Sequence, residues 1–420
     1  MEALFKVRSP VRLVLALCAC LLASALPCST SAQDRAALER QFRDWLAGDL
    51  WQEASAQGVS RHAFERATNG LALDWTLPDL APPGAPPPEA QRQAEFSSPG
   101  AYFKESRLTQ LAAIGRRQLA TWQSTLDEIE RRYGVPRRIV VAIWGRESAF
   151  GSADGGHHAM RALATLAFMG RRKAFFRREL VAALQIVEAG HITPERMKSS
   201  WAGAMGQPQF LPSMFLDYAV DHDGDGRRDI WGSVPDALAS IANHLARHGW
   251  QAGRDWGFEV DVPASVSCAL EGPDRGKPIG EWASLGIARV AGRTWPEAEL
   301  AREGFLLMPA GRHGPAFIAT ANFYVLKSYN ESDLYALYIG NLADRFSTDR
   351  PFVAPWGKVG RFNRGDVRRM QERLQAMGHD VGGVDGLVGY KTRRSIGAWQ
   401  TKAGLAQTCF PDTDLIRRLR

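Results

Sequence analysis

The chain has 420 residues and is 45% hydrophobic, a globular composition long enough for two or three folded units. Its formal charge is +7; the first 32 residues carry a net +2 of that, and the remaining +5 is thinly spread. So mild an excess, without a recognisable nucleic-acid module, argues against a nucleic-acid partner and suits an acidic polymer outside the cytoplasm.

The beginning of the chain reads as a secretory leader. Lys6, Arg8 and Arg12 precede an apolar run from Leu13 to Pro27, and small residues lead to Thr30-Ser31-Ala32. Residues 1–32 are therefore expected to be a signal peptide cleaved after Ala32. No later apolar run reaches the length of a membrane span. Cys18, Cys20 and Cys28 lie in the leader, and Leu17-Cys18-Ala19-Cys20 faintly resembles a lipidation box. The sequence leaves a lipid-anchored and a soluble form both open. Export permits Cys268 and Cys409 to pair, but sequence gives no distance between them, so their pairing stays open too.

Helical periodicity runs from Ala36 to about Leu73, and six prolines in the eleven residues Pro78 to Pro88 then read as a spacer. Helix resumes near Arg107 and leads to Gly134-Val135-Pro136, with Pro136 suited to a first helical turn and Gly151 a natural stop. At about 100° per residue, Ile139, Ile143, Val140 and Trp144 form one apolar stripe, and Glu147 falls in its middle. Arg146 lies just outside it. A carboxyl group there is desolvated, which raises its pKa and fits it for general acid chemistry. The structural alternative is a buried Glu held by Arg137, Arg138 or Arg146.

Further helix is expected from Met160 to about Ala189, with Phe175-Phe176 among arginines as core plus a charged face. From Trp250 to Thr320 the pattern changes: 258–262, 264–270, 287–290, 305–308 and 316–319 read as short strands of an inserted β lobe. Helix returns from Ala321 to Tyr338, a Pro/Gly-rich loop follows, and the last sixty residues carry three short helical faces.

Two motifs carry chemistry. Ser200-Trp201-Ala202-Gly203-Ala204-Met205-Gly206-Gln207-Pro208-Gln209-Phe210 sets an amide and an aromatic after a run of small residues, the equipment of a sugar-binding wall or of a tight packing turn. Asp221, Asp223 and Asp225 with Gly226 open like a calcium loop, although its twelfth position is Gly232 instead of Glu. His157-His158 and His244/His248 lack a third partner at metal spacing and read as surface or core residues.

Together with Trp144-Gly145-Arg146-Glu147-Ser148, with Ala162 to Phe168 and with Ala321 to Val325, the glycine-rich motif resembles the lytic murein transglycosylase B family over about residues 41–344. The resemblance implies a mainly helical, lysozyme-like core with a helical lobe and a small β lobe (about 255–320) inside a catalytic region, 33–347. It implies Glu147 as the single acid/base, Ser200 and Asn330 near the reacting sugar and its N-acetyl group, and Gln209, Phe210, Tyr329 and Tyr335 as glycan contacts. It also implies a structural calcium ion held by Asp221, Asp223, Asp225, the carbonyl of Arg227 and a later Asp, best matched by Asp236. Leu374-Gln375, Gly386 to Gly389, Thr392-Arg393 and Gln400 resemble a three-helix peptidoglycan-binding module over 361–420, after a linker at 348–360.

The implied activity is non-hydrolytic cleavage of the β-1,4 bond between N-acetylmuramic acid and N-acetylglucosamine, leaving 1,6-anhydromuramic ends, by a periplasmic monomer acting on peptidoglycan strands. An ordinary glycosidase needs two carboxylates astride the bond, and no second acid stands in a motif comparable to that of Glu147. A hydrolytic muramidase using the same Glu and a non-catalytic wall-binding scaffold are the alternatives.

Overall fold

The computed structural model describes residues 32–82, 99–153, 155–348 and 350–419. All but the last residue of the expected leader, its three cysteines and most of the expected proline spacer lie outside these. The acid-bearing helix spans Arg137–Ser148, with Pro136 at its N-cap. Three successive residues of positive φ end it: Ala149 (49°), Phe150 (62°) and Gly151 (78°). A side chain at Gly151 is barred twice over, since a Cβ there would stand 2.6 Å from the Gln207 side-chain oxygen.

Two helical cores lie side by side. One packs Ala32–Trp45, Arg61–Thr68, Ala159–Met169, Lys173–Glu188 and Pro212–Tyr218 around Phe42, Phe176 and Phe210. The other packs Glu105–Thr121, Gln123–Tyr133, Arg137–Ser148, Val234–Arg247, Ala321–Lys327 and Asp333–Thr348 around Trp144 and Phe323. Tyr329 packs against both and so marks the seam between them. The expected helix from Ala321 to Tyr338 is two helices, Ala321–Lys327 and Asp333–Thr348. At the break the Ser328 hydroxyl donates to the Val325 carbonyl (2.6 Å), and the Asn330 side chain accepts from the Ser332 N–H (3.1 Å). These local bonds offer the backbone an alternative to the helical ladder, and the resulting turn carries Tyr329 and Asn330.

The strands are β1 (His157–His158), β2 (Lys198–Ser199), β3 (Gly257–Asp261), β4 (Lys277–Pro278), β5 (Ala288–Arg289), β6 (Glu303–Leu307) and β7 (Ala316–Ala319). β1 and β2 pair with each other, and the other five form an antiparallel sheet in the order β4-β6-β7-β3-β5. The run 264–270 is not a strand: it ends in a 3-10 turn, Cys268–Leu270, capped by the Ser267 hydroxyl. That turn aims Cys268 at Cys409, to which it is disulfide-bonded across 141 residues.

The last part of the chain forms three helices, Arg364–Ala376, Tyr390–Lys402 and Thr413–Arg418, around Met370, Leu374, Ile396 and Phe410. Asn363 and Asp366 cap the first of them reciprocally. Besides the disulfide, Arg393 anchors this unit to the body by ion pairs with Glu271 (2.8 Å) and Asp333 (3.3 Å).

Candidate active site

Glu147 lies at the last turn of its helix, half-buried, where the apolar stripe meets the seam. Its Oε1 accepts a hydrogen bond from the Tyr335 hydroxyl at 2.6 Å. Burial pushes its carboxyl above the ordinary range; the Tyr335 bond and the charge of Arg146 pull the other way and lose. None of the candidate arginines holds it. Arg137 pairs with Asp127 and Glu130, Arg138 with Asp255, and Arg146 donates to the Tyr102 hydroxyl (2.9 Å). Arg146 also lies over the rings of Tyr102 and Tyr338. Among the described residues, no second carboxylate contributes to the field at Glu147.

Tyr335 is therefore a partner of the acid. It is 2% exposed, and burial together with the nearby Glu147 charge drives its hydroxyl well above its ordinary pKa, so it stays a proton donor. The Tyr329 ring stacks on the Tyr335 ring (centroids 6.4 Å, planes 11° apart) and its hydroxyl donates to the Pro208 carbonyl at 2.7 Å. Through that bond the glycine-rich segment joins the acid's surroundings.

The segment folds as two nested antiparallel bridges, Ser199 with Met205 and Met205 with Phe210. Gly206 (φ 61°) permits this, because a Cβ there would lie 2.7 Å from the Ile230 carbonyl oxygen. The half-buried Ser200 Oγ accepts from the Ala204 N–H (3.1 Å), and the Gln209 amide donates to the Gly206 carbonyl (2.9 Å). Gln209 adopts φ 54°, which turns the next residue inward. Phe210 has no exposed surface and packs on Tyr329 and His244 at 5.8 Å each. The expectation that Phe210 touches glycan is thus corrected: its ring supports the wall from behind. Asn330 is exposed at the turn beside Tyr329.

Two residues here escaped the sequence reading. Gln207 accepts from the Trp144 indole (2.8 Å) and donates to the Trp231 carbonyl (3.2 Å), tying the acid-bearing helix to the wall. An amide between Gly206 and Pro208 was the available signal. His244 is buried against Phe210, Tyr218 and Tyr329, and its Nδ1 has no hydrogen-bond partner. Its place on the apolar face of Val234–Arg247 was the only hint.

In the acidic loop, Asp221, Asp223 and Asp236 bring carboxylate oxygens within 4.8 Å of one another. Asp221 also accepts from the Gly224 and Gly226 N–H groups (2.7 and 2.8 Å), and Asp236 from those of His222 and Asp229 (both 2.8 Å). Each such oxygen retains a lone pair, and an all-carboxylate set suits a hard cation. Asp225 stands outside this close group, and its side chain pairs with the exposed Arg227 guanidinium (2.7 Å).

Residues 41–344 match the transglycosylase SLT domain family, and 363–419 match a putative peptidoglycan binding domain. The chain belongs to the transglycosylase SLT domain family. Membrane-bound lytic murein transglycosylase B of Escherichia coli K12 is 33% identical over 238 residues, 54% of this chain; the match spans 63% of that relative's length. Among solved structures, SltB3 of Pseudomonas aeruginosa in complex with NAG-anhNAM-pentapeptide is 40% identical with a TM-score of 0.83, covering 90% of this chain and 99% of that one. Soluble lytic transglycosylase SltB1 of the same organism is 26% identical with a TM-score of 0.51, covering 75% of this chain and 99% of that one. The fold is thus mainly helical and of the lytic transglycosylase type, closed by a helical peptidoglycan-binding unit.

Proposed function

We propose that this chain is a lytic murein transglycosylase that cleaves the β-1,4 bond between N-acetylmuramic acid and N-acetylglucosamine without water. The observation that carries this reading is the state of Glu147: desolvated, hydrogen-bonded by Tyr335 and, among the described residues, paired with no cation and accompanied by no second carboxylate. Its raised pKa keeps a proton available to the departing glycosidic oxygen. As the C1–O4 bond breaks, the substrate's own N-acetyl carbonyl oxygen bonds to C1. The Glu147 carboxylate then takes the proton of the C6 hydroxyl, O6 displaces the acyl oxygen at C1, and a 1,6-anhydro ring closes. Glu147 ends protonated again, so the cycle balances without water or a cofactor. That the SltB3 complex holds NAG-anhNAM-pentapeptide agrees with such a product.

Ser200, Gln209, Tyr329 and Asn330 would orient the sugar and its N-acetyl group, and the C-terminal unit (361–420) would hold the enzyme, a monomer, on the polymer. The leader would take it to the periplasm, by way of a lipid anchor or free. Asp221, Asp223 and Asp236 would hold a structural calcium ion with help from the Arg227 carbonyl. The related Escherichia coli Slt35 has been solved in complex with calcium. On this reading calcium raises the midpoint of thermal unfolding, and the double variant Asp221→Ala/Asp223→Ala loses that response; an equal response in the variant would disprove the site. The function is tested with Glu147→Gln, which should bind isolated murein sacculi as the wild type does yet release about 10²- to 10⁴-fold fewer muropeptides. Undiminished release would end the proposal.

A further inference from the structure

A second polar cavity, of about 370 Å³, opens between the start of Arg137–Ser148, the end of Asp333–Thr348 and the outer side of the sheet. Tyr335 bonds Glu147 at one end of this helix pair, while Arg138 acts on Asp344 at the other. Nine residues separate Arg138 from Glu147, so the two sites lie about 14 Å apart along one helix.

The cavity is lined by Arg138, Arg289, Arg293 and Arg350, with Asp255, Glu259 and Asp344 as its acids. Those acids are largely committed. Asp255 pairs with Arg138. Glu259 accepts the N–H groups of Val353 and Ala354 (3.0 and 2.9 Å). Asp344 accepts the Trp256 indole (3.2 Å), and burial raises its pKa to about 6. Three arginines stand against them without a salt bridge among the described residues: Arg289, Arg293 and Arg350. The Arg289 guanidinium is seated 4.9 Å over the Phe258 ring and donates once, to the Thr294 carbonyl (2.7 Å). Its Nε and that of Arg138 are buried without a hydrogen-bond partner. Unpaired buried guanidinium donors cost stability unless something accepts from them. A planar fork of such donors matches a carboxylate or phosphate.

We infer that this cavity is a binding site for an oxyanion, either a carboxylate of a murein stem peptide or a free phosphate, separate from the site of bond cleavage. The site does not depend on the proposed reaction, because its test reads binding alone. Isothermal titration calorimetry of the full chain with inorganic phosphate, and separately with free murein tripeptide, measures it. Heat with the tripeptide only assigns the peptide source, and heat with phosphate supports the free anion. The double variant Arg293→Gln/Arg350→Gln, both at exposed positions, should weaken binding at least about tenfold while muropeptide release stays at the wild-type rate. Asp344→Asn, which removes one of the acids whose charge acts on Arg293, should tighten it severalfold. No heat with either probe at millimolar concentration, or binding unchanged in the double variant, would overturn the inference.

Discussion

The smallest unit that decides the chemistry is the pair Glu147 and Tyr335. The phenol donates to the carboxylate form and so lowers a pKa that burial has raised. Tyr335→Phe removes the lowering influence, so the pKa of Glu147 rises further. A general acid works while protonated; the alkaline limb of the pH–rate profile should therefore move to higher pH in Tyr335→Phe, even as the peak rate falls. A limb that stays put or moves down would mean that the phenol does not govern this proton. Arg146 gives a contrast: it is exposed and engaged with Tyr102, and its charge is the weakest of the three influences on the acid.

One level up, His244 shows what a helix can enforce on its cargo. Val234–Arg247 buries it among Phe210, Tyr218 and Tyr329, and desolvation drops its pKa from 6.5 to about 3. The folded state thus resists a proton that the unfolded chain accepts below about pH 6.5. Stability from this group is complete above that pH and declines as pH falls towards 3, by about 2 kcal/mol at pH 5. Urea unfolding of the wild type and of His244→Leu at pH 7.5 and pH 5 checks this: the variant should lose less on acidification.

The elements also show what sequence could and could not tell. The 3.6-residue period placed Glu147 on an apolar stripe because one helix, Arg137–Ser148, sets its environment, and local periodicity carries that information. The β lobe was legible from alternation in 258–261 and from short apolar runs at 305–307 and 316–319. Phe210 was misplaced because its inward turn depends on one positive φ at Gln209, which composition does not reveal. The helix break at Ser328 to Ser332 was hidden by apolar spacing that continues across it, although Ser and Asn can bond locally there. The Cys268–Cys409 pairing needed a distance.

At the scale of the whole molecule, the C-terminal unit is fastened to the body by the disulfide and by a buried ion-paired group. Arg393 is 2% exposed and Glu271 is fully buried, so Arg393→Ala leaves a carboxylate without its counter-charge in a dry interface. That should cost about 3–5 kcal/mol, read as a lower denaturant midpoint. Arg394→Ala, which breaks the more exposed pair with Asp274, should cost less than about 1 kcal/mol. Equal losses would mean that Arg393 does not fasten the unit. All of these features serve a single chemical assertion, that the substrate's own hydroxyl takes the place of water. It is tested most directly by digesting murein in water enriched in heavy oxygen and weighing the muropeptides released. The account predicts muramic ends one water lighter than reducing ends and free of the label; reducing ends that carry heavy oxygen at C1 would contradict it.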